Sequence, residues 1–224
     1  MKYVIGGGAF PYVTCDLENG EKMITEKGSM IWMSPNMKME TSGGGVGKMF
    51  SKAFTGESMF HNIYTAQGDA SVTFGSSFPG KILDVAITPE KPLIAQKNCF
   101  LASESGVQLS IHFNKNLGAG LFGGEGFIMQ KLSGAGVVFL EIDGELVEKE
   151  LAPGEKLLIS TGSVAAFESS VHMEIQRVQG VKNVLFGGEG LFHTVLTGPG
   201  KVWLQTMPIV QVAGAIRPYV ASSK

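Results

Sequence analysis

Charge is scarce in this 224-residue chain: Asp, Glu, Lys and Arg together make up 17% of it, against roughly 25% in an ordinary soluble domain. Long solvated helices, which draw on those residues, are not expected. Neither sign dominates. With 18 basic and 20 acidic side chains and a formal net charge of −2, the chain lacks the basic excess that drives sequence-independent phosphate binding, so no nucleic-acid partner is expected. Cysteine is nearly absent. Cys15 and Cys99 are the only two, too few for a disulfide framework and not spaced as a Cys-x-x-Cys zinc pair. That usage fits a reducing, cytoplasmic setting. Mean hydropathy is positive, +0.16, yet no apolar run approaches the roughly 18 residues that span a bilayer. The opening MKYVIGGG also lacks the apolar core of a signal peptide. The expectation is a soluble, unexported chain.

Glycine, by contrast, is abundant, with 31 residues, and its placement is ordered. Three segments resemble one another: Phe54-Thr-Gly-Glu57-Ser-Met-Phe60, Phe122-Gly-Gly-Glu125-Gly-Phe127 and Phe186-Gly-Gly-Glu189-Gly-Leu-Phe192. Eleven residues after each Glu stands a glycine, Gly68, Gly136 and Gly200, followed by extended apolar stretches at Ser71–Phe74, Val137–Leu140 and Val202–Leu204. Upstream, Gly28, Asn98 and Gly162 hold a common register. Gly and Asn are the residues that most readily accept positive φ, so a left-handed turn is expected at each. The turn formers Asn19-Gly20, Pro89-Glu90 and Pro153-Gly154 precede them at a fixed distance.

The spacing defines three units of about 65 residues: roughly 10–78, 79–144 and 145–207, within one β domain over 1–208, with 209–224 as a C-terminal extension. Their elements read as strands. Leu157–Ser160, Met173–Gln176, Leu109–His112 and Met37–Glu40 alternate or run apolar between turn residues. One short helix is expected at Lys48–Phe54. The fold class is therefore all-β: three repeats in a pseudo-threefold antiparallel sandwich or barrel. The closed form is preferred because closure removes exposed edge strands.

Several of these residues carry a family resemblance. Met30-Ile-Trp-Met-Ser-Pro35, the Gly-Glu-Ser/Gly elements, Leu117-Gly-Ala-Gly-Leu-Phe-Gly-Gly-Glu-Gly126 and Leu196-Thr-Gly-Pro-Gly-Lys-Val-Trp-Leu-Gln205 together resemble the altered-inheritance-of-mitochondria protein 24 family, from about Tyr3 to Pro208. The resemblance implies a fold similar to the tryptophan RNA-binding attenuator proteins and a cytoplasmic place in bacteria, while the mitochondrial relatives are linked to inner-membrane organisation. It carries no catalytic or ligand-binding residues over. The first unit departs from the others, reading Gly-Glu-Ser where they read Gly-Glu-Gly.

Two glycine-rich motifs fail on context. Gly118-Ala-Gly120-Leu-Phe-Gly123 has dinucleotide-fingerprint spacing, but strand-like residues follow it where that site needs a helix. Gly43-Gly-Gly-Val-Gly-Lys48 resembles a phosphate loop, yet Ser42 stands for its first glycine and Met49 for its Ser or Thr. The repeated Glu57, Glu125 and Glu189 are candidate binding residues, converging on a shared cation or raising one another's pKa; the favoured alternative has each capping N–H groups in its own glycine turn. Four residues beyond each lie His61, Met129 and His193, candidate ligands for a soft metal if strands bring them together, or members of an apolar layer. His112 and His172 fall outside that register. Trp32 and Trp203 read as core or interface fillers. No nucleophile elbow or Cys/His arrangement of known spacing is present, so no catalytic residue and no cofactor is assigned.

The leading functional reading is a non-enzymatic β scaffold or binding module that self-associates, since low charge and apolar excess suit buried subunit contacts. The alternative is a metal- or small-molecule-dependent enzyme with its site at the pseudo-threefold axis or glycine-rich rim. The expected partners are further copies of the chain, with a protein partner or a membrane surface also open, the latter through the short basic-apolar KMFSKAF segment.

Overall fold

Val13, Cys15 and Leu17 are buried while the residues between them are not. This period of two sends one face of a strand to a core and the other outward. The computed structural model describes residues 1–25, 28–42, 61–115, 126–177, 192–216 and 219–220, and strands dominate them. A first sheet is ordered β1 (Lys2–Gly6), β2 (Tyr12–Leu17), β7 (Ala70–Gly75), β4 (Met30–Met33). A second is ordered β5 (Met37–Ser42), β6 (His61–Ala66), β3 (Lys22–Thr25), β10 (Phe100–Glu104), β13 (Gly136–Asp143), β8 (Gly80–Ile87). In the third the order is β11 (Val107–Lys115), β12 (Phe127–Gly134), β9 (Leu93–Gln96), β16 (Val164–Glu168), β19 (Gly200–Gln205), β14 (Leu146–Leu151). The fourth holds β15 (Lys156–Ser160), β18 (Phe192–Thr197) and β17 (His172–Arg177). Among the described residues the pairings between strands of these sheets are antiparallel.

Alternation along single strands explains how four sheets share three apolar cores. On β13, Phe139 enters the first core with Val13, Val72, Phe74 and Tyr64, while Val138 and Leu140 enter the second with Leu109 and Leu132. On β19, Trp203 enters the second core and Val202 the third, beside Phe167, Ile159 and Leu196. The second and third sheets are thus covered on both faces, which is why strands such as Val137-Val-Phe-Leu140 run apolar without a polar side. Edge-on ring contacts add to the first core: Tyr3 on Phe139 with centroids 4.9 Å apart, and Tyr64 on Phe74 at 5.4 Å.

The same local irregularity occurs in β4, β10 and β16, besides one between Ile111 and Phe113 where β11 meets β12. Register shifts by one residue between Met30 and Trp32 where β4 meets β7, between Phe100 and Ala102 where β10 meets β13, and between Val164 and Ala166 where β16 meets β19. Such a bulge kinks a strand and fixes its register. Two seams join strands far apart in sequence. At one, Ala102, Ser103 and Glu104 of β10 face Thr25, Ile24 and Met23 of β3; at the other, Ala166, Phe167 and Glu168 of β16 face Ala95, Ile94 and Leu93 of β9. β4 ends the first sheet and β15 ends the fourth, and among the described residues neither has a strand on its outer side.

The strands expected at Leu157–Ser160, Met173–Gln176, Leu109–His112 and Met37–Glu40 lie inside β15, β17, β11 and β5. Lys48–Phe54 lies outside the described residues. A helix absent from the sequence reading, α1 (Ile209–Ile216), occupies the C-terminal extension. The expected left-handed turns need correction. Gly28 has φ +92°, but Asn98 and Gly162 sit in right-handed 3-10 turns, Lys97–Cys99 and Thr161–Ser163. Glycine is wanted at position 162 for space: a Cβ there would lie 3.0 Å from Val210 Cγ2 and 3.5 Å from Pro208 Cγ.

Candidate functional site

Alternation on β13 carries Glu141 and Asp143 along the same face as Phe139, past the end of the first core. There Glu141 meets the turn after β7. Its Oε2 accepts Ser76 Oγ at 2.9 Å, the Ser77 N–H at 2.6 Å and Ser77 Oγ at 2.9 Å. Burial pushes the Glu141 carboxyl above the usual carboxylate range, and the serine donors hold it back only in part. Asp143 is pushed up by burial as well, opposed by the Ile209 N–H, which donates to Oδ2 at 2.8 Å. The two acids border a cleft of ≈ 660 Å³ whose other polar walls come from Ser29, Ser76, Ser77 and Asn98. Among the described residues no histidine, cysteine, lysine or arginine lines it. Both serine hydroxyls donate to one oxygen of Glu141, Oε2. The arrangement is a polar seam that can accept hydrogen bonds.

A second polar cluster lies beneath it. Gln205, 4% exposed, donates from Nε2 to the Gly162 carbonyl at 2.9 Å and accepts the Asp143 N–H on Oε1 at 3.0 Å. It also approaches Gln96 Oε1 at 3.5 Å. This amide ties β19, β13 and the 3-10 turn before β16 to one another.

Glu57, Glu125 and Glu189 lie outside the described residues. His61, Met129 and His193 fall on three different sheets, in β6, β12 and β18. His61 is buried, with its ring edge-on to Phe100 at 6.4 Å; Met129 is buried in the third core; His193 is half-buried, opposite Ser160 and Gln176. Among the described residues, no three His, Cys, Asp or Glu side chains are grouped as they would be to hold a metal ion. Cys15 and Cys99 are buried free thiols, and burial pushes Cys15 up to about 12 and Cys99 well above its usual value. Trp203 is 7% exposed in the second core, whereas Trp32 on β4 is 50% exposed.

The outer edges contrast with one another. β5 carries Lys38 and Glu40, β8 Lys81 and Asp84, β14 Glu148, Lys149 and Glu150, and β17 His172 and Glu174. Charge of this kind blunts an edge against further pairing. β4 has no charged residue, β15 has only Lys156 at its start, and β1 has only Lys2 at its start. Ile31 is 52% exposed and Leu158 59%.

Fold and site together define an all-β protein of stacked antiparallel sheets, with buried polar seams and charge-poor sheet edges at β1, β4 and β15. The chain belongs to the family described as Mitochondrial biogenesis AIM24, which it matches over residues 3–207. It is 28% identical to the uncharacterized protein M6_Spy0233 of Streptococcus pyogenes serotype M6 over 224 residues, 96% of this chain and 88% of that one. In fold it is similar to the crystal structure of protein SPYM3_0169 from Streptococcus pyogenes, with a TM-score of 0.81 at 25% identity, covering 98% of this chain and 99% of that one. No helix among the described residues is long and apolar enough to cross a membrane.

Sequence reasoning missed Glu141, Asp143 and Gln205. Nothing local marks them, because their partners lie 43 or more residues away in the chain. The one available signal was an acidic pair at alternate positions, Glu141 and Asp143, closing an apolar strand.

Proposed function

We propose that this protein is a self-associating β scaffold, built of three like units over about 10–78, 79–144 and 145–207 and arranged in the manner of the tryptophan RNA-binding attenuator proteins. Three parallels support the units. In each, the first, last and third strands pair in the same order, as β2·β7·β4, β8·β13·β10 and β14·β19·β16. The third strand of each carries the same one-residue bulge. A glycine at positive φ marks the approach to each last strand: Gly68 stands two residues before β7, Gly136 is first in β13 and Gly200 first in β19. The buried free thiols support a reducing compartment such as the cytoplasm.

The observation that carries the scaffold reading is the pair of charge-poor edges, β4 with no charge and β15 with only Lys156, with Trp32 and Leu158 exposed on them. A sheet edge of that composition is a site for adding strands. It also argues for an open series of units over the closed body, in which these two edges would be joined to each other. Native mass spectrometry of untagged protein tests the reading. Assemblies of several chains carrying neither metal nor small molecule are expected. A monomer at every concentration overturns it, and a metal or organic ligand retained in stoichiometric amount favours the enzyme reading instead.

A further inference from the structure

Glu141, Asp143 and Asn98 have counterparts further along the chain. Gln205, Met207 and Gly162 follow them at the offset that separates Gly136 from Gly200, and the bulge at Val164 follows the one at Phe100 at the same offset. The two sets of residues treat equivalent junctions in opposite ways. Gln205, nearly inaccessible to solvent, uses both ends of its amide, accepting the Asp143 N–H and donating to the Gly162 carbonyl. Met207 packs against the backbone at Gly144, where a Cβ would lie 2.9 Å from Met207 Cβ. That junction is filled by the chain itself. At the junction of Glu141 and Asp143 a cleft of ≈ 660 Å³ stands open instead, a volume in the range of small-molecule sites.

A carboxylate cannot donate as the Gln205 amide does. Glu141 takes its donors from Ser76 and Ser77 on Oε2, and Asp143 takes the Ile209 N–H on Oδ2. Among the described residues no donor reaches Glu141 Oε1 or Asp143 Oδ1, and neither acid forms an ion pair. Two half-buried carboxylates therefore border one cavity, each with an oxygen to spare. Beside them stand Met30 and Ile31 of β4 and Ile209 at the start of α1. We propose that this cleft binds a small organic ammonium ion, whose N–H groups donate to Glu141 Oε1 and Asp143 Oδ1 and whose hydrocarbon stem lies against Met30, Ile31 and Ile209. Hydrogen bonds between two charged partners are the strong ones. An ammonium suits the cleft better than a bare metal ion, since hard cations take six or more oxygen ligands and no three acidic, His or Cys side chains are grouped among the described residues. The stem gives the apolar wall a partner that an ion lacks. Asn98 and Ile31 are exposed at the rim, so the occupant exchanges with solvent. It fills this junction as Gln205 and Met207 fill theirs, and no chemical step is attached to it.

Calorimetric titration of the full chain with 2-phenylethylamine and with n-hexylamine tests the site. 2-Phenylethanol carries the same stem without the charge. Saturable binding of an amine, and none of the alcohol at equal concentration, is expected. Glu141→Gln and Asp143→Asn should each weaken the amine about tenfold, the cost of one charge-assisted hydrogen bond, and the double variant should lose it. Asn98→Lys tethers an ammonium at the exposed rim and should block the free amine with far-UV circular dichroism unchanged. That variant keeps both acids, so loss of binding is read in a folded protein even where an acid variant fails to fold. Saturable binding of neither amine overturns the proposal, as does alcohol binding as tight as amine binding. An amine held by the folded double variant as tightly as by the parent overturns it too. Displacement of the amine by equimolar calcium or magnesium assigns the cleft to a metal and overturns it as well. Sedimentation with and without amine keeps the scaffold reading separate, because copies assemble or fail to assemble whatever the cleft holds.

Discussion

Asp143 and Ile209 are joined by a hydrogen bond of 2.8 Å from the Ile209 N–H to the Asp143 carboxylate, and through it strand β13 caps the C-terminal helix α1. A helix start leaves N–H groups without intrahelical partners, and a side-chain oxygen at that position stabilises by about 1 kcal/mol. Asp143→Ala is expected to cost about that much in chemical denaturation. Amide exchange over 209–216 should accelerate, while exchange in β13 should not. Asp143→Asn keeps an acceptor and should lose less. Unchanged exchange in α1 for the alanine variant would show that the helix is held by other contacts.

Gln205 serves three elements with one amide. Gln205→Leu fills a similar volume but leaves the part-buried Asp143 N–H and the buried Gly162 carbonyl without this partner. The expected loss is about 1–3 kcal/mol, the range for a stranded buried polar group. Urea unfolding reads it directly. A Leu variant as stable as the parent would mean that water or a neighbouring amide replaces the bond.

Glu141 gives stability a sign with pH. Its folded-state pKa lies above the ordinary 4.5 because of burial, so over a window starting near that value the folded chain holds a proton that the unfolded chain has released. The associated stability is full below the window and is lost as pH rises through the raised pKa. Asp143, raised from 3.8, contributes with the same sign. Glu141→Gln stays neutral and keeps a carbonyl oxygen for Ser76 and Ser77. Its melting temperature relative to the parent should therefore climb between about pH 4 and pH 8. A relative melting temperature that falls over that range contradicts the assignment.

The thiols make a simpler forecast. Cys15 and Cys99 are buried, and their thiolates are disfavoured by the same burial. An aromatic disulfide reagent at neutral pH should label neither in the folded protein and both in denaturant. Rapid labelling of either thiol without denaturant would place it at the surface.

Much of this architecture was legible in the sequence because it is written in short-range pattern. Alternation gave β5, β11, β15 and β17, and of the three expected left-handed turn residues Gly28 takes positive φ. What stayed hidden depends on contacts between distant residues. Asn98 and Gly162 suit a left-handed turn by residue type, yet the geometry chosen is a 3-10 turn, and at Gly162 the constraint comes from Val210. The run Ile-Val-Gln-Val-Ala-Gly-Ala-Ile of α1 holds β-branched residues and a glycine, so propensity argues against a helix that Asp143 caps from β13. Trp32 and Trp203 sit in similar apolar runs. Only the order of strands reveals that one ends a sheet and the other lies within a core.

The sharing of sheets between cores also bears on how the molecule comes apart. β3 and β10 belong to one sheet and β9 and β16 to another, and each of those sheets has an apolar core on both faces. Melting the middle core would strip cover from one face of each six-stranded sheet and expose the edges of β3 and β16 at once. Neither flanking part is left with a finished surface, so partial unfolding is penalised at every boundary and calorimetry should record a single cooperative transition. For the same reason a chain of this kind resists trimming: a cut near residue 78 or 144 severs a continuous hydrogen-bonded sheet.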